Sequence, residues 1–413
     1  MTDDGPSVGE DIRKEIKQRG RITFARYMEL ALYAPGKGYY SGSASGFSGT
    51  DYITSPLAHP VFGALLGRQL YQIWSIMGTP DQFLIVEPGA GNGTLACDVL
   101  NYIERAIPLF YENITYIAID CTPSPFELSN HHENLEYLRS YGLPSFGGEG
   151  CIISNELIDA YPVHRFKVDH GKLIESYVHM NSKEDFVEIF DEPSTDLLSQ
   201  RLQELGIPFR DDLKGEINLH IDDWAKNVSS CLDSGVAITI DYGDLAANLY
   251  QRPNGTLQTY YLQTDGGSPF SLPGKRDITA HVDFSSMIRC GAYDGLKYEG
   301  LIGQGAFLRN LGWKQFFETV AGMNIGRREL MANQIGMRHL VDQVHLGGLK
   351  VLVQSKNLEI GDQLLGFEEG NGSTDRGEVK PVGVPIMDDH HVSYLGTGYP
   401  VGQDDDWSYQ RFL

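Results

Sequence analysis

The sequence predicts an α/β fold, a mostly parallel sheet with helices on both faces, extended by an N-terminal helical cap and insertions. Three observations predict it. Short apolar runs recur and end in an acidic or amide residue: Phe83-Leu84-Ile85-Val86-Glu87, Ile114 to Asp120, Cys151 to Asn155 and Gly235 to Asp241. Runs that short and that apolar fit strands buried on both faces. Helical patterns separate the runs in the first half of the chain, and strand alternating with helix argues for a parallel sheet. Finally, the first run leads into a turn where Gly89, Gly91 and Gly93 alternate with other residues, and then into a helix with Thr94 as candidate N-cap.

Taken in order, Ile12, Ile16, Phe24, Tyr27, Met28, Ala31 and Leu32 fall at helical spacing, so residues 9–33 read as helices. Pro35 and Gly36 end them. A glycine-rich loop follows over 36–51, and long loops are usually functional or mobile. Val61, Leu65, Leu66, Leu70, Ile73 and Trp74 mark another helix, and residues 1–80 together read as the helical cap. The α/β core spans 81–356, with a helix expected at about 125–133. Val163 to Phe190 reads as antiparallel strands, followed by helices at about 194–206 and 216–232, so 160–232 reads as an insertion. Turn signals such as Pro253-Asn254-Gly255 and Asp265-Gly266-Gly267 mark a second insertion over about 244–300. Helices at about 304–311 and 313–342 precede a last strand, Leu349 to Gln354. From 357 onward Gly, Pro, Asp and Glu accumulate, and 357–413 reads as an extended or partly disordered acidic tail.

Bulk properties narrow the function classes. A chain of 413 residues suggests two to three domains. The net charge of −22 disfavours nucleic acid and anionic membrane, and favours a cationic partner such as a Lys- or Arg-bearing segment. Cysteines at 97, 121, 151, 231 and 290 form no C-x-x-C pair and no zinc or disulfide framework, which fits a reduced cytosol. The N-terminus is acidic and matches neither a signal nor a transit peptide, and no apolar run approaches the roughly 18 residues of a membrane span. A cytoplasmic setting is therefore expected. No metal site is expected, since the adjacent pairs His131-His132 and His390-His391 cannot share a helix face.

The glycine turn reads best as Glu-x-Gly-x-Gly-x-Gly, with Glu87 at the strand tip. A dinucleotide fingerprint fits only when counted from Gly91, too far from the strand's end. A carboxylate at Glu87 would repel a pyrophosphate and suits a ligand with a cationic amino group, which points to S-adenosyl-L-methionine. Asp120, at the next strand tip, can accept hydrogen bonds from two ribose hydroxyls, or can cap a turn before Pro123. Asn155, Glu156 and Asp159 follow the third strand, and at the carboxyl edge of the sheet they would face the same crevice. Carboxylates there can hold a guanidinium or accept a proton, or serve as helix N-capping groups. His281, beside a helix start, can orient an acceptor or be structural.

Separated blocks carry a resemblance. They include Ile22 to Tyr40, Gly49 to Gly63, Val86 to Leu95, Ser154 to Phe166, Ile240 to Gly243, Gly255 to Tyr261, Pro273 to Phe284 and Gln304 to Gly312. Over roughly 15–355 the chain resembles the MidA family, which includes mitochondrial complex I assembly factor 7. The resemblance implies a class I, Rossmann-like S-adenosyl-L-methionine-dependent methyltransferase fold and methylation of arginine on a protein, a respiratory complex I subunit for the mitochondrial member. It implies Glu87, Gly89, Gly91, Gly93 and Asp120 as cofactor-binding, with Thr54, Ser55 and Pro56 covering the donor. Asn155, Glu156 and Asp159 would lie beside the reacting centre. Rivals are a non-catalytic donor-binding assembly factor, a small-molecule methyltransferase and a nicotinamide dehydrogenase. Where the family typically has Ser-Pro-Glu-Ile-Ser, this chain has Ser55-Pro56-Leu57-Ala58-His59.

Overall fold

A computed structural model describes residues 7–42, 53–122, 132–261, 264–360, 364–368 and 383–392. The helix expected at 125–133 falls almost wholly outside these residues. The chain opens with α1 (Val8–Arg19), held by a capping box of Ser7 with Glu10. A two-residue strand β1 (Ile22–Thr23) leads into α2 (Phe24–Tyr33), whose N-cap Thr23 hydroxyl accepts the Arg26 N–H at 3.1 Å. The short α3 (Ser55–Ala58) and the long, largely buried α4 (Val61–Ile76) precede β2 (Phe83–Pro88). Next come α5 (Thr94–Ala106), β3 (Ile114–Asp120), β4 (Leu135–Arg139) and β5 (Glu149–Asn155).

The chain then leaves the core for antiparallel strands β6 (His164–Asp169), β7 (Lys172–Met180) and β8 (Phe186–Asp191), helix α6 (Leu197–Glu204) and β9 (Lys214–Ile217). It returns through α7 (His220–Cys231) to β10 (Ser234–Asp241). After a small three-stranded sheet come α8 (Phe284–Tyr293), β11 (Lys297–Gly303), α9 (Gln304–Asn310), α10 (Trp313–Ala321), α11 (Arg327–His339) and β12 (Lys350–Lys356).

The central sheet has seven strands in the order β11-β12-β10-β5-β2-β3-β4. β12 runs antiparallel to both its neighbours and the other pairings are parallel. One face packs on α4, α5 and α9 to α11 through Leu65, Val99, Phe307 and Phe316. The other packs on α7 and α8 through Ile221, Trp224, Phe284 and Met287. This is the doubly wound arrangement that the apolar runs predict. β1 joins β6 to β9 in a second sheet, and α1 and α2 pack on it to make a separate lobe.

Several expected boundaries shift. The stretches expected as insertions, 160–232 and 244–300, include α7, α8 and the start of β11. These elements pack on or join the central sheet, so what leaves it is about 160–217 and 244–283. Helix α4, assigned to the cap, is part of the main core. The helix expected at 216–232 starts later because Lys214–Ile217 pairs with β6, and that expected at 313–342 divides into α10 and α11. Within the tail, residues 364–368 and 383–392 dock on the body, burying Leu364 and Val384.

Candidate functional site

β2 pairs with β5 only as far as Val86 opposite Ile152, although β2 continues to Pro88 and β5 to Asn155. The two strand tips therefore diverge at the point where strand order reverses, where doubly wound sheets open a ligand crevice. A cavity of about 390 Å³ occupies it.

The glycine turn forms its near wall. Gly89, Gly91 and Gly93 have φ of 76°, 55° and 78°, backbone that L side chains rarely adopt. The Gly89 and Ala90 N–H groups donate to Ile119 O, and Gly91 N–H donates to Asp120 Oδ2 at 2.9 Å. The N-cap position of α5 is Gly93, not Thr94. Thr94 is the first helical residue, and its N–H and hydroxyl both reach Asn92 Oδ1.

Asp120 Oδ1 accepts the Thr122 N–H and hydroxyl at 2.8 and 2.9 Å. It thus closes a local turn and still faces the cavity with lone pairs to spare. Glu87 is 4% exposed and accepts the Tyr116 hydroxyl at 2.7 Å. Burial pushes its carboxyl up to about 8, the charge of Asp120 adds to this, and the Tyr116 bond opposes it.

The far wall is the tip of β5. Glu156 holds a left-handed backbone, φ 50°, which costs a non-glycine residue conformational energy and is typical of functional sites. Its Oε1 accepts the Ser55 N–H and the Asn155 amide, each at 3.0 Å. Burial raises its carboxyl to about 8, with Asp241 adding to the shift. Asn155 Oδ1 is buried with no partner among the described residues.

Asp159 is 7% exposed and lies behind the wall, not on the cavity. Asp241, fully buried at the tip of β10, accepts the N–H groups of Ile158, Asp159 and Tyr242 at 2.8, 3.2 and 2.8 Å. Burial raises the Asp241 carboxyl to about 7, and those donors oppose the rise, which makes it the more acidic member of the pair. Burial and the Asp241 charge drive the Asp159 carboxyl well above the usual range. Asp159 is therefore placed to shape the 156–159 segment, not to touch a ligand.

Of the N-terminal pair, Thr54 lines the cavity with Pro56 and Leu57. Ser55 is fully buried behind them, its N–H on Glu156 and its hydroxyl on Gln304. Gly93 also sits behind the lining. His281 packs beside Tyr242 and burial lowers its ring to about 4, so it is neutral.

Sequence reasoning missed several contributors. Glu29, Tyr33 and Tyr40 reach the cavity from the second lobe. The two tyrosines stack at 5.6 Å, with hydroxyls tied to Ala160 O and Asp277 Oδ1. Asp241 ends an apolar run as Asp120 does, and that signal was present. Among the described residues the lining holds five carboxylates, Glu29, Glu87, Asp120, Glu156 and Asp223, and no Lys or Arg. No group of three or more His, Cys, Asp or Glu among the described residues is arranged to hold a metal ion.

Residues 65–302 match a family model described as "Putative S-adenosyl-L-methionine-dependent methyltransferase". The protein arginine methyltransferase NDUFAF7 of Rattus norvegicus, a mitochondrial protein, is 28% identical over 339 residues, 72% of each chain. Its Drosophila melanogaster homologue is 26% identical over 338 residues, 74% of this chain and 75% of that one. Among solved structures, a "likely methyl transferase" from Burkholderia thailandensis bound to S-adenosyl-homocysteine superposes with a TM-score of 0.76 at 28% identity, covering 88% of this chain and 95% of that one. The mitochondrial placement of the relatives overturns the expectation of a cytoplasmic setting.

Proposed function

The chain belongs to this family of S-adenosyl-L-methionine-dependent methyltransferases, and on that premise we propose that it methylates arginine in a basic segment of a protein. The observation that carries the proposal is the cavity's acidic lining: five carboxyl groups, of which burial keeps Glu87 and Glu156 largely protonated at neutral pH until a cation favours their ionisation, and no Lys or Arg among its described lining residues. Such a lining repels a dinucleotide's pyrophosphate. It accommodates a donor with a cationic amino group and an acceptor with a guanidinium. The naming of the rat and fly relatives as protein arginine methyltransferases supports the same acceptor.

The donor set fits the cofactor chemically. Glu87 at the strand tip would hold the amino group, the positive-φ glycine turn lets backbone approach closely, and Asp120 retains acceptor capacity for ribose hydroxyls. When bound, S-adenosyl-L-methionine supplies an electrophilic methyl group. The chain's own residues do the rest. The Asn155 carbonyl oxygen and the Glu156 carboxylate orient the acceptor nitrogen, and Glu156 takes up the proton that nitrogen loses. Tyr33 and Tyr40 offer ring faces to a planar cation. Asp159 and Asp241 fix the loop that carries Glu156. Positioning and a charge-complementary site lower the barrier.

The test uses methyl-labelled donor with peptides matched except for Arg, Lys or Gln at one position. Label on the Arg peptide alone, seen by mass spectrometry as an added methyl group, is expected. Glu156→Gln should lower kcat about 10²-fold or more, as loss of a general base does, with donor Kd unchanged. Transfer to the Lys peptide in preference to Arg overturns the acceptor assignment.

A further inference from the structure

Residues 383–392 cross the body beside α3 and α5. Val384 is buried in the main core. The Met387 N–H donates to Asn333 Oδ1 at 2.9 Å, and the same oxygen accepts His59 Nε2–H at 3.0 Å. That ring is neutral, since its Nδ1 accepts the Val61 N–H and burial lowers it to about 3. The His391 ring lies between Asp98 Oδ2 at 3.2 Å and Asp388 Oδ1 at 2.8 Å. The next residue, Val392, donates its N–H to Leu57 O at 2.9 Å.

Leu57 is the link to the site. It belongs to α3, whose four residues are too few to hold a helix by themselves. Within α3, Ser55 donates its N–H to Glu156, and Pro56 and Leu57 line the cavity. The position of this wall must come from its neighbours. Those neighbours are Gln304 on Ser55, Asn333 on His59, and the C-terminal segment on Leu57 and Asn333. The Leu57-Ala58-His59 departure has a physical account at His59. His59 points its ring into the core toward Asn333, and nothing in these contacts depends on the side chain at 57.

We infer that residues 383–392 form a strap that positions α3 as a wall of the donor cavity, with His391 and Asn333 as positioning residues for methyl transfer. The inference rests on the donor reading of the cavity. It gives part of an acidic tail a role in the site that the tail's own composition does not suggest. Two carboxylates flank His391, so the latch is a charge-assisted pair, and removing the ring leaves Asp98 buried without it.

Calorimetry of the full chain with S-adenosyl-homocysteine as probe tests it. His391→Ala should raise Kd about tenfold, equivalent to about 1.4 kcal/mol. His391→Gln, which can still bond Asp98, should recover most of that loss. Val392→Pro, which removes the N–H that reaches Leu57 while also fixing φ at 392 and restricting His391, should weaken binding likewise and stands in if the alanine variant fails to fold. Phe316→Leu, in the same core but away from the cavity, should lower Tm while leaving Kd unchanged. Wild-type Kd in both strap variants overturns the inference, as does a loss in Phe316→Leu matching theirs. A wild-type chain that binds no probe overturns the donor reading, and this inference with it.

Discussion

Glu156 combines an unfavourable backbone with an unfavourable environment, and both have measurable consequences. Its folded-state carboxyl lies near 8 against an ordinary 4.5. The native state therefore holds a proton that the unfolded state has released between those values, so stability falls as pH rises across that window. Urea unfolding of the cofactor-free protein should show this decline from about pH 5 to about pH 8. Glu156→Gln should reduce the slope, leaving the part that Glu87 contributes; parallel slopes would contradict it. The same carboxylate must be ionised to accept a proton, so kcat/KM should rise through about pH 8. On the donor side, a Cβ at Gly89 would sit 2.8 Å from Leu157 Cδ1 in addition to straining φ at 76°. Gly89→Ala should cost about 1–2 kcal/mol of stability from the left-handed conformation alone, and weaken donor binding. The glycines and strand-tip acids were legible because local backbone and sheet geometry dictate them. Tyr33, Tyr40 and Gln304 were not, because their roles arise only from tertiary placement.

At the scale of elements, the crevice depends on how closely β5 approaches β2. A Cβ at Gly150 would lie 2.0 Å from Leu84 O, inside the β2–β5 pairing. Gly150→Ala should force the strands apart, at about 1–3 kcal/mol or more by denaturant unfolding. A neutral result would mean that the sheet tolerates a wider spacing. Gln304 is fully buried and ties Ser55 Oγ to Leu340 O, joining α3 to α11. Gln304→Leu leaves these groups unpaired and should cost about 1–3 kcal/mol, with weaker donor binding as α3 loosens. The buried strands announced themselves as apolar runs. The edge strands β4 and β11 did not, because half-exposed residues and a bulge between Tyr298 and Gly300 break their pattern. The strap was equally hidden. Its docking relies on isolated residues such as Val384 and His391, which have no periodicity, within a stretch whose composition reads as disordered.

The whole molecule carries a net charge of −22, and its cavity lining repeats that sign in miniature. A field of this kind gathers cationic partners and weakens with salt. KM for a basic acceptor peptide should therefore rise severalfold between about 50 and about 500 mM salt, where the Debye length falls below about 5 Å. A peptide with neutral flanks should respond far less. The two lobes also share the site: the core supplies the glycine turn and Asp120, while the lobe built from α1, α2 and the β6–β9 strands supplies Glu29, Tyr33 and Tyr40. The acidic character of the chain was plain from composition. That its carboxylates converge on one crevice, with no Lys or Arg among the described lining residues, emerged only from the fold.

The central claim is that the crevice between the tips of β2, β3 and β5 holds the methyl donor. A crystal structure of the protein with S-adenosyl-homocysteine tests it most directly. The account predicts the amino group at Glu87, the ribose hydroxyls on Asp120 and the sulfur directed toward Asn155 and Glu156. Ligand density elsewhere, or in this crevice with the sulfur directed away from Glu156, would contradict it.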